Sequence, residues 1–162
     1  MDSAGPPGQT APPPRRALMI PAPTSFRIMM RLYLWVTFGG ALGTAARFLV
    51  SGWAAGRIGE TFPWGTLLVN VSGCFLIGFF AALTDPAEGR LLAGPTARQF
   101  FMTGLCGGYT TFSSFGLQTL NLVRDGDWLR AGGNVTGSVA TCLLAVWLGQ
   151  LAASCLNQWK GA

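Results

Sequence analysis

Gly104-Leu-Cys-Gly107-Gly108-Tyr109-Thr110-Thr111-Phe112-Ser113-Ser114-Phe115 lies inside an otherwise apolar stretch. Two adjacent glycines followed by two β-branched threonines make poor continuous helix, each glycine costing about 1 kcal/mol against alanine. The composition therefore predicts a helix broken at Gly107-Gly108, with carbonyls and amides freed at membrane depth. Such groups are tolerated there only where they are buried in protein, line water or hold an ion. Freed carbonyls of Gly107 and Thr110 are candidates to coordinate a small monovalent cation. Downstream, Phe112 and Phe115 share a face at i,i+3, with Gln118 one step further. Aromatic helix faces are mostly packing, whereas in a channel the electropositive ring edges can face an anion. Periodicity leaves both readings open.

The surrounding chain is of the membrane class: 162 residues, 50% hydrophobic and only 10% charged. Four spans are expected, roughly Leu32–Ala54, Trp64–Leu83, Phe100–Val123 and Ala131–Leu156, each long enough for a hydrocarbon core of about 30 Å. The connections are short, so residues 31–162 read as one all-α bundle of four transmembrane helices. Residues 1–30, with Gly5-Pro-Pro-Gly8 and Pro12-Pro-Pro14, read as a disordered Pro-rich tail that carries no evident chemistry and no signal-peptide core.

All six acids (Asp2, Glu60, Asp85, Glu88, Asp125, Asp127) fall in the tail or the connections, and the chain has no histidine. A cation or proton path through a membrane would be expected to keep an ionisable acid or imidazole inside it. The intramembrane polar residues are instead neutral or positive, which suits an anion. The net charge of +5 is scattered, with no basic, aromatic-interleaved face, so nucleic acid is not an expected partner. No nucleophile–base pair or metal-ligand set points to an enzyme. Cys74, Cys106, Cys142 and Cys155 lie in spans without CxxC spacing and read as small packing residues.

Span 1 carries Gly39 and Gly43, a bare face for close helix approach, with Arg47 at the next i+4 step, either a snorkelling anchor or an electrostatic funnel at a vestibule. In span 2, Thr66, Asn70, Gly73 and Ile77 share a face. Asn70 is either interhelical glue or a neutral amide whose NH₂ offers two donors to an anion. In span 4, Gly133 and Gly137 form a second small-residue face, and Asn134, Ser138 and Thr141 form a polar stripe. Its hydroxyls either bond back to the preceding turn or make a ladder of donors. Four spans put both termini on one side. That side carries Arg27, Arg31, Arg90, Arg98 and Lys160 against Arg57, Arg124 and Arg130 on the other, a weak bias strengthened only by Arg15 and Arg16. A weak bias permits insertion in both orientations.

Gly39-Gly40-Ala-Leu-Gly43-Thr-Ala-Ala-Arg47, Pro63-Trp64-Gly65-Thr66-Leu-Leu-Val-Asn70-Val-Ser-Gly73 and Gly107-Gly108-Tyr-Thr110-Thr111-Phe112-Ser113-Ser114-Phe115 together resemble the Fluc/CrcB family of fluoride channels. The resemblance implies an antiparallel, dual-topology homodimer in the plasma membrane that exports fluoride passively. It makes Asn70 the pore asparagine, Phe112 and Phe115 the ring edges along the ion path, and Ser138 the span-4 pore hydroxyl. Thr111 and Gln118 join that pore and Arg47 its vestibule, while carbonyls of Gly107 and Thr110 hold a structural sodium ion at the dimer axis. Gln118 stands where many members carry glutamate, Cys142 where a second span-4 hydroxyl can occur, and Asn134 where some carry tyrosine. Two rival readings are a proton- or cation-coupled four-span transporter and a non-transporting subunit of a larger membrane assembly.

Overall fold

The computed structural model describes residues 25–159, which are helical with no strand. Helix α1 is Phe26–Ile58, α2 is Trp64–Leu83, and α3 is the short Pro95–Arg98. The chain continues through a π-helical segment, Gln99–Cys106, into α4, Gly107–Tyr109; after Thr110 and Thr111 come α5, Phe112–Arg124, and α6, Trp128–Gln158. Helices α1, α2 and α6 are each long and apolar enough to cross a membrane. The 20 residues of α2 span about 30 Å.

Three sequence expectations need correction. Gly107 and Gly108 are helical, and the break falls at Thr110 (φ −82°, ψ 158°) and Thr111 (φ −151°, ψ 116°), both extended. The glycines serve packing rather than rupture: a Cβ on Gly108 would stand 2.5 Å from the Gly40 carbonyl oxygen. The helix also begins at Phe26, so residues 26–30 of the expected tail belong to α1, while residues 1–24 lie outside the described part. The third expected span is a composite of α3, π-turns, α4 and α5 rather than one helix.

The packing turns a soluble protein inside out. Outer faces are apolar and exposed (Phe48, Leu49, Leu129, Leu143), while Thr66, Thr111, Asn134 and Ser138 are buried. With lipid outside, apolar burial gives helices little reason to associate, so close backbone contact must hold them together. Two glycine seams supply it. Along the first, a Cβ on Gly39 would meet the Phe100 carbonyl at 2.6 Å, and one on Gly43 the Tyr109 amide nitrogen at 2.8 Å. Along the second, α2 lies against α6, where a Cβ on Gly149 would meet the Phe79 amide nitrogen at 2.9 Å. Gly133 and Gly137, expected to form another such face, have nothing within 4 Å of an added Cβ, so that face is open within the chain.

The helix ends are fastened by side chains. Arg98 Nη1 donates to the Thr84 carbonyl and hydroxyl, and Asn157 Nδ2 donates to the Ala82 carbonyl at 3.0 Å, satisfying the last carbonyls of α2. Asp127 caps α6 by accepting from the Arg130 amide at 3.1 Å and pairs with the Arg130 guanidinium at 3.0 Å. Gly43→Val would drive a branched side chain into the backbone of the α4 segment. We expect it to destabilise the fold by about 1–3 kcal/mol, read as a lowered melting temperature in detergent; Gly137→Val, on the open face, should leave the monomer fold in place.

Candidate functional site

Thr111 loses its helical backbone partner at the break, and Asn70 of α2 replaces it on both sides. Thr111 N–H donates to Asn70 Oδ1 at 2.7 Å, and Asn70 Nδ2 donates to the Thr111 carbonyl at 3.0 Å. A planar amide with one acceptor and one donor edge matches one residue's backbone pair, which an acid or a hydroxyl would not do. Diverting the Thr111 amide leaves the Gly107 carbonyl without its helical i+4 donor. Thr110 is anchored separately: its N–H and Oγ1 both donate to the Cys106 carbonyl, at 2.9 and 3.0 Å.

The same break starts a helix inside the bundle. Thr111 is the N-cap of α5, its Oγ1 accepting from Ser114 N–H at 3.2 Å and approaching the hydroxyls of Ser113 (3.2 Å) and Ser114 (3.1 Å). The positive dipole end of a 13-residue helix thereby starts at the buried Thr111. Beside it, Tyr109 Oη and Ser72 Oγ share a hydrogen bond of 2.9 Å, while Ser72 also donates back to the Leu68 carbonyl at 2.7 Å.

A cavity of about 450 Å³ opens at this point, lined by Asn70, Gly107, Thr110, Thr111, Phe112, Phe115 and Ser138 among others. The break thus gathers every residue expected for the pore or cation site except Gln118 and Arg47. Phe115 is 9% exposed and Phe112 81%, their ring centroids 5.2 Å apart and tilted by 44°. Phe112 thus presents most of its ring outward while Phe115 forms wall. Gln118 lines a second cavity, of about 420 Å³, with Glu60, Asn121, Asp125 and Arg130 at the opposite end of α5. There its Oε1 is buried without a hydrogen-bond partner. Arg47 is half-buried on α1, eleven residues before Ile58, about 16 Å along the axis.

One part of the site escapes the sequence reading. Ser138 Oγ donates to Asn134 Oδ1 at 3.3 Å, Asn134 Nδ2 to Thr119 Oγ1 at 2.8 Å, and Thr119 Oγ1 to the Phe115 carbonyl at 2.8 Å. Asn134 is 2% exposed. This relay ties α6 to α5 behind Phe115 and leaves Thr141, the third residue of the expected stripe, outside it; Thr141 bonds back to the Gly137 carbonyl at 2.6 Å. The missed member is Thr119, whose one available signal was its i+4 position from Phe115. The polar lining of the first cavity consists of amide, hydroxyl, thiol and backbone groups, with no carboxylate. Such a wall can donate hydrogen bonds to an anion without fixing it by a full charge. Asn70→Ala would strand the Thr111 amide and carbonyl, and we expect a loss of about 1–3 kcal/mol per unpaired buried group, measured as thermal destabilisation exceeding that of Ser72→Ala.

A family model described as CrcB-like protein, Camphor Resistance (CrcB), matches residues 34–150. The protein named fluoride-specific ion channel FluC of Opitutus terrae is 65% identical over 133 residues, covering 82% of this chain and all of that protein. The protein of the same name from Methylocella silvestris is 63% identical over 130 residues, 80% of this chain and 98% of its own length. That from Rhodospirillum rubrum is 55% identical over 126 residues, 78% and 97% of the two chains. The matched region runs from the first half of α1 through the glycine seams, the Asn70–Thr111 clasp and the Ser138 relay: the chain belongs to the CrcB-like family.

Proposed function

We propose that this chain is a fluoride channel that lets F⁻ leave the cytoplasm down its electrochemical gradient, lowering internal fluoride. The observation that carries the reading is a largely apolar cavity in which neutral donors of Asn70, Thr111 and Ser138 stand, in a chain similar to proteins named fluoride-specific ion channels. Fluoride is small and strongly hydrated, so entry requires protein donors in place of water. Asn70 has one Nδ2 hydrogen engaged by Thr111 and a second left for the ion, one donor rather than the two anticipated from composition. Ser138, the hydroxyls around Thr111 and the ring edges of Phe112 and Phe115 extend the path. At rest the Ser138 hydroxyl is donated to Asn134. An anion that recruits it must withdraw it from a bond worth about 1 kcal/mol net, which keeps occupancy modest and release fast, the condition for conduction. Gln118 and Arg47 belong to the approaches of this path.

The functional unit in this reading is an antiparallel homodimer in the plasma membrane, with the segment from α3 to α5 making the fourth crossing. The open Gly133 and Gly137 face and the outward ring of Phe112 are surfaces a second copy would cover. A structural sodium ion at the dimer axis fits the donor chemistry. The Gly107 carbonyl is released by the Asn70 clasp, and Thr110 is extended so that its carbonyl leaves the helical ladder. Neutral carbonyls suit a hard monovalent cation, and among the described residues no cluster of three or more His, Cys, Asp or Glu could hold a metal. When bound, the ion would supply fixed positive charge beside the anion path. A coupled transporter would be expected to keep a carboxylate or imidazole in the cavity, and a purely structural subunit would have no use for the spare Asn70 donor.

Liposomes containing the purified protein should release fluoride but retain chloride, at a rate unaffected by an imposed proton gradient; proton-gradient dependence would favour the coupled transporter, and no flux the structural subunit. Asn70→Asp, which puts a negative charge beside the path and an oxygen against the Thr111 carbonyl, should cut efflux at least tenfold. Phe112→Ile should slow efflux several-fold with an unchanged elution volume in size-exclusion chromatography, and a wild-type rate would assign the ring to packing.

A further inference from the structure

Three of the four cysteines, scattered in sequence, line one cavity. Cys74 of α2, Cys106 at the end of the π-helical segment and Cys142 of α6 all line the 450 Å³ cavity, whereas Cys155 lies exposed near the end of α6. Cys74 and Cys142 are half-buried and stand at the same level of the α2–α6 seam, each one turn before the close contact of Gly78 with Val146; Cys106 is buried. Cys74 is one turn along α2 from Asn70 and Cys142 one turn along α6 from Ser138, so the pair stands directly beside the proposed anion path. Small apolar packing does not require two thiols at one level of a cavity wall.

The donor set decides what such a pair can hold. Zinc-type sites need four ligands, and no group of three or more His, Cys, Asp or Glu able to hold a metal exists among the described residues. Two sulfurs without further ligands suit a soft, closed-shell ion that accepts linear two-coordination, and soft thiolates select such ions over hard ones. We propose that Cys74 and Cys142 form a two-thiolate site for a soft monovalent cation of the Ag⁺ or Cu⁺ class, and that its occupation closes the cavity to anions. On binding, the two S–H bonds break, each sulfur donates its electron pair to the metal, and both protons leave to cavity water; no electron is transferred. Two neutral thiols and one cation thus become a bridge of net charge −1. That bridge obstructs the passage physically, and in a low-dielectric wall it also repels an incoming anion far more strongly than it would in water. The binding part of the inference stands by itself, and the closure rests on the fluoride-channel reading.

Silver nitrate in chloride-free buffer is the probe, since silver fluoride is soluble. Native mass spectrometry of the purified full chain should show one Ag⁺ per chain, retained by Cys155→Ala and lost in Cys74→Ala and in Cys142→Ala, with folding of each variant checked by its elution volume. In liposomes, Ag⁺ should slow fluoride efflux at least tenfold, reversibly on adding dithiothreitol, in the wild type and Cys155→Ala but in neither of the other variants. Silver still bound to the doubly substituted Cys74→Ala, Cys142→Ala chain would overturn the site. Silver bound at the pair with undiminished efflux would overturn the closure. A wild-type chain that binds silver yet conducts no fluoride without it would sink the channel reading while leaving the metal site intact.

Discussion

The rest of the structure depends on one side-chain amide holding one residue's backbone. A helix can be interrupted inside a membrane only if the liberated N–H and C=O groups find partners, because lipid offers none. Asn70 supplies both partners to Thr111 at 2.7 and 3.0 Å. That clasp fixes the register of α2 against the break, sets where α5 starts and releases the carbonyl of Gly107. Glue and ligand, the two roles the sequence left open for Asn70, are therefore compatible: one amide hydrogen fastens the break and the other has no partner among the described residues.

The glycine seams make this arrangement reachable. Asn70 can touch Thr111 only if α2 comes within backbone distance of the α4 segment, and Gly73 permits that, since an added Cβ there would collide with the Thr110 and Tyr109 side chains. On the other flank, Gly40 and Gly108 bring α1 equally close. The buried polar groups then satisfy one another in series, as in the relay from Ser138 to the Phe115 carbonyl. Neutral donors engaged in weak internal bonds can be lent to a passing anion and recovered afterwards, whereas a fixed charge would trap the ion or exclude it.

Much of this was legible in the chain. Apolar length marked α1, α2 and α6, and the absence of intramembrane acids pointed toward an anion. The residues that meet at the first cavity were identifiable from helical spacing and family motif together. The position of the break was not legible, because propensity counts a glycine as a helix breaker without knowing that Gly108 lies against Gly40. What ends the helix is a tertiary bond from Asn70, 41 residues away, to Thr111. Separation in space explains the other misses. Gln118 shares a helix with Phe115 but faces a different cavity, and Thr119 gains its role only from Asn134 on the next helix.

Amide hydrogen exchange at Thr111 tests the clasp most directly. In the wild-type protein this amide should exchange as slowly as the helical amide of Val69, although it lies outside any helix and beside a cavity. In Asn70→Ala it should exchange at least tenfold faster while Val69 and Ala145 keep their rates. Rapid exchange of Thr111 in the wild type, or a rate unmoved by removing the Asn70 side chain, would contradict the account.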